Sequence, residues 1–270
     1  RFLELVDKFI ADKGELAALR ETFSDYPSGT SFHLAYFRPT NPAMTEGIAL
    51  AAKNIFSVCR EFAYEDKAGG NRVDLAIFLN GLPVVMLELK KQTAGQSAVG
   101  NGIIQFQQDR STEEKVFGFN KRTLVYLTLD EFEAFVATDM KTFLPFNRGT
   151  EEGAGNPAVN GKHSTCYIWE EILDKPILLR ILREFMFLDN EGKMIFPRYH
   201  QLRAVRKVEE DIAANGFGGR YLIWHSAGSG KTKTLTWVAE RVKNMPGMNT
   251  VIVISDRTVI NGQLAAELTT

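Results

Sequence analysis

Three charged residues sit where charge is costly. Asp74, Glu88 and Lys90 fall within two apolar runs, Val73, Leu75 and Ile77 in one and Val85, Leu87 and Leu89 in the other. Between the runs lies Asn80-Gly81, a strong signal for a β-hairpin with strands at Arg72–Leu79 and Pro83–Lys90. Side chains alternate along a strand, so Glu88 and Lys90 project to the same side. A three-residue loop of Asn80, Gly81 and Leu82 would pair Leu79 with Pro83 and set Asp74 opposite Glu88, whereas a two-residue loop would shift the pairing and separate them. Adjacent carboxylates repel, and a divalent cation removes that cost. Mg²⁺ prefers a few carboxylates, water and a substrate phosphate. The expected chemistry is phosphodiester hydrolysis, with Asp74 and Glu88 holding Mg²⁺, aided by the Leu89 carbonyl. Lys90 would orient the water or offset charge on the phosphorane. The competing reading is an exposed hairpin whose Glu-x-Lys is a surface salt bridge.

A second group follows downstream. His225-Ser226-Ala227-Gly228-Ser229-Gly230-Lys231-Thr232 is a phosphate-binding loop with one departure, His225 where the strict pattern has glycine. Backbone N–H groups of such a loop cradle phosphates. Gly228, Ser229 and Gly230 would form the cradle, Lys231 would reach the β- and γ-phosphates of ATP, and Thr232 would bind Mg²⁺. A chance glycine loop is the bland alternative.

These groups require elements to hold them. Residues 1–22 read as one helix, 24–42 as turn-rich around the apolar piece His33–Phe37, 43–56 as a second helix and Phe56–Tyr64 as a strand. After the hairpin, 95–114 reads as helical. There, Gln105 and Arg110 would point at the phosphate if the helix packs beside the hairpin, or line a wet polar face if it does not. Lys91 and Arg72 would touch backbone phosphates or remain solvated. Thr123–Leu129 is β-rich, 145–163 is an exposed loop by its Gly, Asn and Pro content, and 168–189 is helical. A linker falls near 187–197. Arg198–Ala214 is an amphipathic helix, Tyr221–His225 a strand, Lys231–Val242 a helix and Val251–Ser255 a buried strand. There is no internal repeat.

Bulk properties narrow the partners. Net charge is −1, so the chain does not grip nucleic acid with its whole surface, and any contact must be a local cleft. The cysteines Cys59 and Cys166 and the four histidines have no zinc spacing. No apolar run matches a membrane span and no signal peptide opens the chain, which makes the cytoplasm the expected location. Residue 1 is Arg, as expected if the true N-terminus lies upstream.

Several stretches together resemble the R (HsdR) subunit of type I restriction enzymes: NRVDLAIFLNGLPVVMLELK, IIQFQQDR, FLPFNRG with GAGNP, IFPRYHQLRAV and LIWHSAGSGKTKT. They spread from about residue 32 to 260. Within IFPRYHQLRAV, Gln201 resembles the adenine-reading glutamine of superfamily-two helicases. Ser255-Asp256-Arg257 looks like the next helicase motif, which touches DNA backbone. The resemblance implies a PD-(D/E)xK endonuclease site in which Asp74, Glu88, Lys90 and Gln105 are catalytic. Asp109 stands where some members carry tyrosine, and Val73 where the usual residue is proline.

The fold it implies is α/β: a mixed sheet flanked by helices over 1–186, a linker over 187–197, and the beginning of a RecA-like motor lobe over 198–270. It also implies double-stranded DNA as substrate, methyltransferase (M) and specificity (S) subunits as partners, ATP-driven translocation, and cleavage away from the recognition site. Without the downstream acidic ATPase motif, this stretch alone is expected to bind ATP weakly and not to turn it over. Two other classes compete: a stand-alone nuclease-helicase for repair or defence, and a non-catalytic DNA-binding or assembly module.

Overall fold

The computed structural model describes residues 1–254 apart from 26, 40, 42, 66–69 and 152. It forms two compact units, one of Arg1–Phe187 with Met194–Phe196, the other of Leu188–Lys193 with the chain from Pro197.

The first unit opens with two helices, α1 (Phe2–Lys13) and α2 (Glu15–Arg20), where a single helix is expected. Gly14 separates them at φ 89°, and it lies so close to Asn120 that a Cβ there would come within 2.0 Å of the side-chain amide. Asn120 uses this proximity: its carbonyl accepts the Glu15 N–H and its side-chain oxygen accepts the Leu16 N–H, at 2.8 and 3.1 Å. Within the turn-rich stretch, β1 (Phe23–Asp25) pairs with β2 (Thr30–Phe32), strands too short to show a period. Helix α3 (Thr45–Ala51) stops earlier than expected, because the Asn54 amide caps the Ala51 carbonyl at 2.8 Å.

The centre is a six-stranded mixed sheet with its strands in chain order: β3 (Phe56–Ala63), β4 (Arg72–Leu79), β5 (Leu82–Leu89), β6 (Val125–Leu129), β7 (Ala134–Ala137) and β8 (Leu144–Pro145). Among its pairs only β5 and β6 run parallel. The crossover between them carries a π-helical turn, Ala98–Ile103, which continues into α4 (Ile104–Gln108). Both strands are buried along most of their length, as the middle of a covered sheet requires. Phe106 of α4 packs with Phe117, Tyr126 and Met86 over the sheet. The short β7 and β8 are not apparent from the sequence pattern.

The 145–163 stretch is less free than its composition suggests. The Asn156 amide donates to the Phe132 carbonyl at 2.7 Å and accepts the Arg148 N–H at 2.8 Å, which ties the loop down. The helical 168–189 stretch is interrupted, with π-helical turns Ile168–Ile172 and Ile181–Phe185 on either side of α5 (Lys175–Arg180). Pro176 starts α5 and cannot continue the preceding turn. The expected linker is ordered: β9 (Phe187–Leu188) and β10 (Met194–Ile195) form a hairpin, with Asp189 accepting the N–H groups of Glu191 and Lys193 at 3.0 and 2.9 Å.

In the second unit, α6 (Tyr199–Asn215) packs against α7 (Lys231–Lys243) through Leu202, Val205, Val208, Trp237 and Ala239. Glu209 of α6 pairs with Arg241 of α7 at 2.8 Å. Among the described residues neither of the two expected strands, Tyr221–His225 and Val251–Ser255, is formed. Leu222 and Trp224 are 90% and 91% exposed, and Ile252 and Ile254 are 78% and 86% exposed. An apolar strand of this type is stable only between neighbours, and among the described residues neither segment has one. Ser255-Asp256-Arg257 lies outside the described residues. No described helix is long and apolar enough to cross a membrane.

Candidate active site and phosphate loop

The β4–β5 hairpin turns on two residues, not three. Leu79 pairs with Leu82, and Asn80 and Gly81 take φ values of 50° and 89°. Two consecutive positive values are what a type I′ turn needs and what Asn-Gly supplies most readily. On turn length alone Asp74 and Glu88 would be out of step. A β-bulge corrects this: the register shifts between Phe78, which faces Pro83, and Ile77, which faces Val85. Proline cannot donate to the ladder, so a bulge beside Pro83 costs little pairing. Beyond it Leu75 faces Leu87, and the same register continued sets Asp74 opposite Glu88.

Four candidate residues meet at this end of the sheet. Asp74 Oδ2 accepts the Leu89 N–H at 2.6 Å. Lys90 Nζ donates to Glu88 Oε2 at 2.9 Å and to Gln105 Oε1 at 2.6 Å, and lies 3.8 Å from Asp74 Oδ2. Glu88 is fully buried, which a surface salt bridge would not be. Burial pushes its carboxyl above the usual range and the Asp74 charge adds to that push, while Arg110 and Lys90 oppose it. Arg110, just past the end of α4, neither joins Gln105 on the side where a phosphate would lie nor lines a wet polar face. Its guanidinium is buried, bonded to Glu88 Oε1 and to the Arg72 carbonyl, and lies over the ring of Phe106, which is itself packed into the core. Lys91 and Arg72 remain exposed.

Three positioning groups escape a reading by motif. Asp130, at the end of β6, accepts the Ala98 N–H at 2.9 Å and the Gln92 amide at 3.1 Å, and so holds the start of the crossover helix. Burial pushes the Asp130 carboxyl up, but donors from Ala98, Phe132, Gln92 and Glu133 outweigh it and leave the group below its usual range. Thr128 Oγ1 donates to the Ala98 carbonyl at 3.3 Å. Gly102 lets the helix lie against Thr128, since a Cβ there would fall 1.8 Å from Thr128 Oγ1. The available signal was an acid directly after an apolar strand, at the end where parallel strands gather sites.

The donor set suits a hard divalent cation. Asp74 and Glu88 are two carboxylates flanking one cationic group, the Lys90 ammonium, which marks where positive charge is favoured. Among the described residues no three His, Cys, Asp or Glu side chains cluster in a way that could hold a metal ion by themselves.

In the second unit, Gly228 and Gly230 have φ of 72° and 77°, and α7 begins at Lys231. Lys231 Nζ donates to the carbonyls of His225 and Ser226 at 3.2 and 2.9 Å, folding the loop around its own lysine. Thr232 lies in the first turn of α7, and Ser229 is buried in the loop. Gln201 accepts the Arg198 N–H at 2.8 Å and donates to the Gly230 carbonyl at 2.9 Å, which links α6 to the loop. The His200 ring contacts the Ser229 carbonyl at 3.0 Å and meets the His225 ring edge-on at 4.7 Å. Burial holds both imidazoles below the usual range; His200 and Lys231 lower His225 further.

Comparison with known proteins places both regions. Residues 43–153 match the family described as type I restriction enzyme R protein N terminus, and residues 200–270 match SWI2/SNF2 ATPase. The chain is 28% identical over 204 residues to a type I restriction enzyme endonuclease subunit of Methanocaldococcus jannaschii, covering 71% of this chain and 19% of that protein. It is 24% identical to the HindI endonuclease subunit of Haemophilus influenzae, covering 78% of this chain and 21% of that one. A Staphylococcus aureus endonuclease subunit is 22% identical, with coverage of 80% and 22%. The chain thus spans about a fifth of the length of the curated relatives it matches. A nuclease family and an ATPase family together imply a metal ion and ATP in general terms. The stretch that carries the Asp74–Glu88 hairpin is thus similar to the N terminus of type I restriction enzyme R proteins, and the stretch that carries most of the phosphate-loop unit is similar to SWI2/SNF2 ATPases.

Proposed function

We propose that this chain carries the Mg²⁺-dependent DNA-cleaving site of a type I restriction enzyme, a site-specific deoxyribonuclease whose R subunit also moves duplex DNA with ATP. The observation that carries the reading is the meeting of Asp74, Glu88, Lys90 and Gln105 at one end of the sheet. Mg²⁺ held by Asp74 and Glu88 supplies Lewis-acid polarisation of the phosphate and a more acidic water. The residues do the rest. Asp74 is fixed by the Leu89 N–H, Gln105 steers the Lys90 ammonium, and Lys90 meets negative charge that develops on the phosphorane.

In the second unit Gly228, Ser229 and Gly230 surround the ATP phosphates. Lys231 exchanges the His225 and Ser226 carbonyls for the β- and γ-phosphates, Thr232 binds the Mg²⁺ that accompanies ATP, and Gln201 reads adenine. The partners in this reading are double-stranded DNA and the methyltransferase and specificity subunits, in the cytoplasm. The test is Mg²⁺- and ATP-dependent nicking of supercoiled DNA by the assembled enzyme. Asp74→Ala, Glu88→Gln and Lys90→Ala should each lower cleavage by roughly a hundredfold or more while DNA-dependent ATP hydrolysis persists. Undiminished cleavage by Asp74→Ala or Glu88→Gln rejects the assignment.

A further inference from the structure

Glu88 divides its two oxygens between two cations of different kinds. Oε2 accepts Lys90 Nζ at 2.9 Å on the side shared with Asp74 and Gln105. Oε1 accepts Arg110 Nη2 on the buried side. The Arg110 side chain is 2% exposed, and Nη2 also donates to the Arg72 carbonyl at 3.0 Å. Its Nε and Nη1 are buried with no hydrogen-bond partner among the described residues. Leaving two donors unpaired is costly, so the guanidinium is kept there by the buried carboxylate it faces. The cluster as it stands is balanced, with two carboxylates against one ammonium and one guanidinium.

The two cations differ in freedom. Among the described residues the Lys90 ammonium is bonded to the Glu88 and Gln105 side chains that surround the reaction site, so a phosphate can draw it away. Arg110 is enclosed beneath β4 and Phe106 and cannot follow. We propose that Arg110 is a positioning residue of the cleavage site, the permanent counter-ion that anchors Glu88 through Oε1 and leaves its Oε2 presented to the metal when Lys90 turns to the substrate. This rests on the reading of Asp74 and Glu88 as metal ligands. Arg110 touches neither metal nor DNA.

The experiment measures Mn²⁺ binding by electron paramagnetic resonance, and thermal unfolding, on this chain carrying Arg110→Met, Arg110→Lys, Glu88→Gln, and Arg110→Met with Glu88→Gln. Arg110→Met should weaken Mn²⁺ binding at least tenfold with the circular dichroism spectrum retained, and Arg110→Lys should recover much of that loss. The double variant should melt above Arg110→Met, because it removes the stranded charge. If Arg110→Met does not fold, Arg110→Lys carries the binding measurement and the rise in melting temperature of the double variant carries the coupling. Wild-type Mn²⁺ affinity in folded Arg110→Met overturns the proposal, as does a double variant no more stable than Arg110→Met. A wild-type chain that binds no Mn²⁺ sinks the metal-site reading, and with it the metal-presenting role of Arg110. The thermal coupling then reports only whether the two side chains are paired.

Discussion

Glu88 and Glu15 are both completely buried carboxylates, and they differ in what faces them. Glu88 has a cation on each oxygen, whereas neither Glu15 oxygen has a hydrogen-bond partner among the described residues. Arg122 lies 4.0 Å from Glu15, but its other nitrogen is bonded to Asp7. Burial therefore dominates and pushes the Glu15 carboxyl up to about 8, with Arg122 opposing and Asp7 adding a little. The sign of the consequence follows from linkage. Below about pH 4.5 Glu15 is protonated in both folded and unfolded chains and costs nothing. As pH rises towards 8 the unfolded chain releases its proton and the folded one does not, so stability falls; above 8 the penalty is constant. Glu15→Gln should match the wild type in thermal melts near pH 4.5, gain steadily to about pH 8 and gain no more beyond it, by up to a few kcal/mol. A gain that does not vary with pH contradicts this. Residue type and spacing were enough to select Asp74, Glu88, Lys90 and Gln105 as candidates. They could not show that Arg110 points inward or that Glu15 is sealed, because both depend on which helix face meets the sheet.

At the scale of elements, the hairpin shows what was legible and what was not. Asn80-Gly81 between alternating apolar runs identifies β4 and β5 almost to the residue. The turn length did not follow from the wish to bring two carboxylates together, since the bulge near Pro83 performs that correction without any sequence pattern of its own. Gly102 was equally silent, because a close approach is a property of two elements. Thr128 is fully buried in a central strand, and Gly102 sits against its hydroxyl. Adding a methyl group must push the helix bearing Gln105 away, and overpacking of this kind costs about 1–3 kcal/mol. Gly102→Ala should therefore lower the melting temperature and lengthen the 2.6 Å contact between Gln105 and Lys90. Thr128→Ala in the same chain should restore part of the stability, less the bond from Thr128 to the Ala98 carbonyl. A Gly102→Ala chain as stable as the wild type removes close packing here as the reason for glycine.

Across the whole molecule, order is unevenly distributed. The first unit encloses its sheet under α4 and the Phe117 cluster, and its site residues are held by side chains from β4, β5 and the crossover helix. The second unit is built on α6 and α7, with apolar residues of 221–224 and 251–254 left facing water. Short apolar runs suggest strands in any sequence, but a strand exists only when partners supply its hydrogen bonds. The Gly-x-Gly-Lys-Thr loop, by contrast, needs only its own glycines and the helix that follows, which is why it was readable and is formed. Backbone without regular structure and with exposed side chains opens at little cost. Chymotrypsin should therefore cut first at Tyr221, Leu222 or Trp224, all exposed, before any site within β4 to β6. The N-terminal product would contain Asp74, Glu88, Lys90, Gln105 and Arg110 and should bind Mn²⁺ as the uncut chain does. Mass spectrometry of the first fragments and a metal titration of the product decide the matter. Early cleavage inside the sheet, or loss of metal binding once the 221–224 segment is cut, would show that the site depends on the phosphate-loop unit for its order.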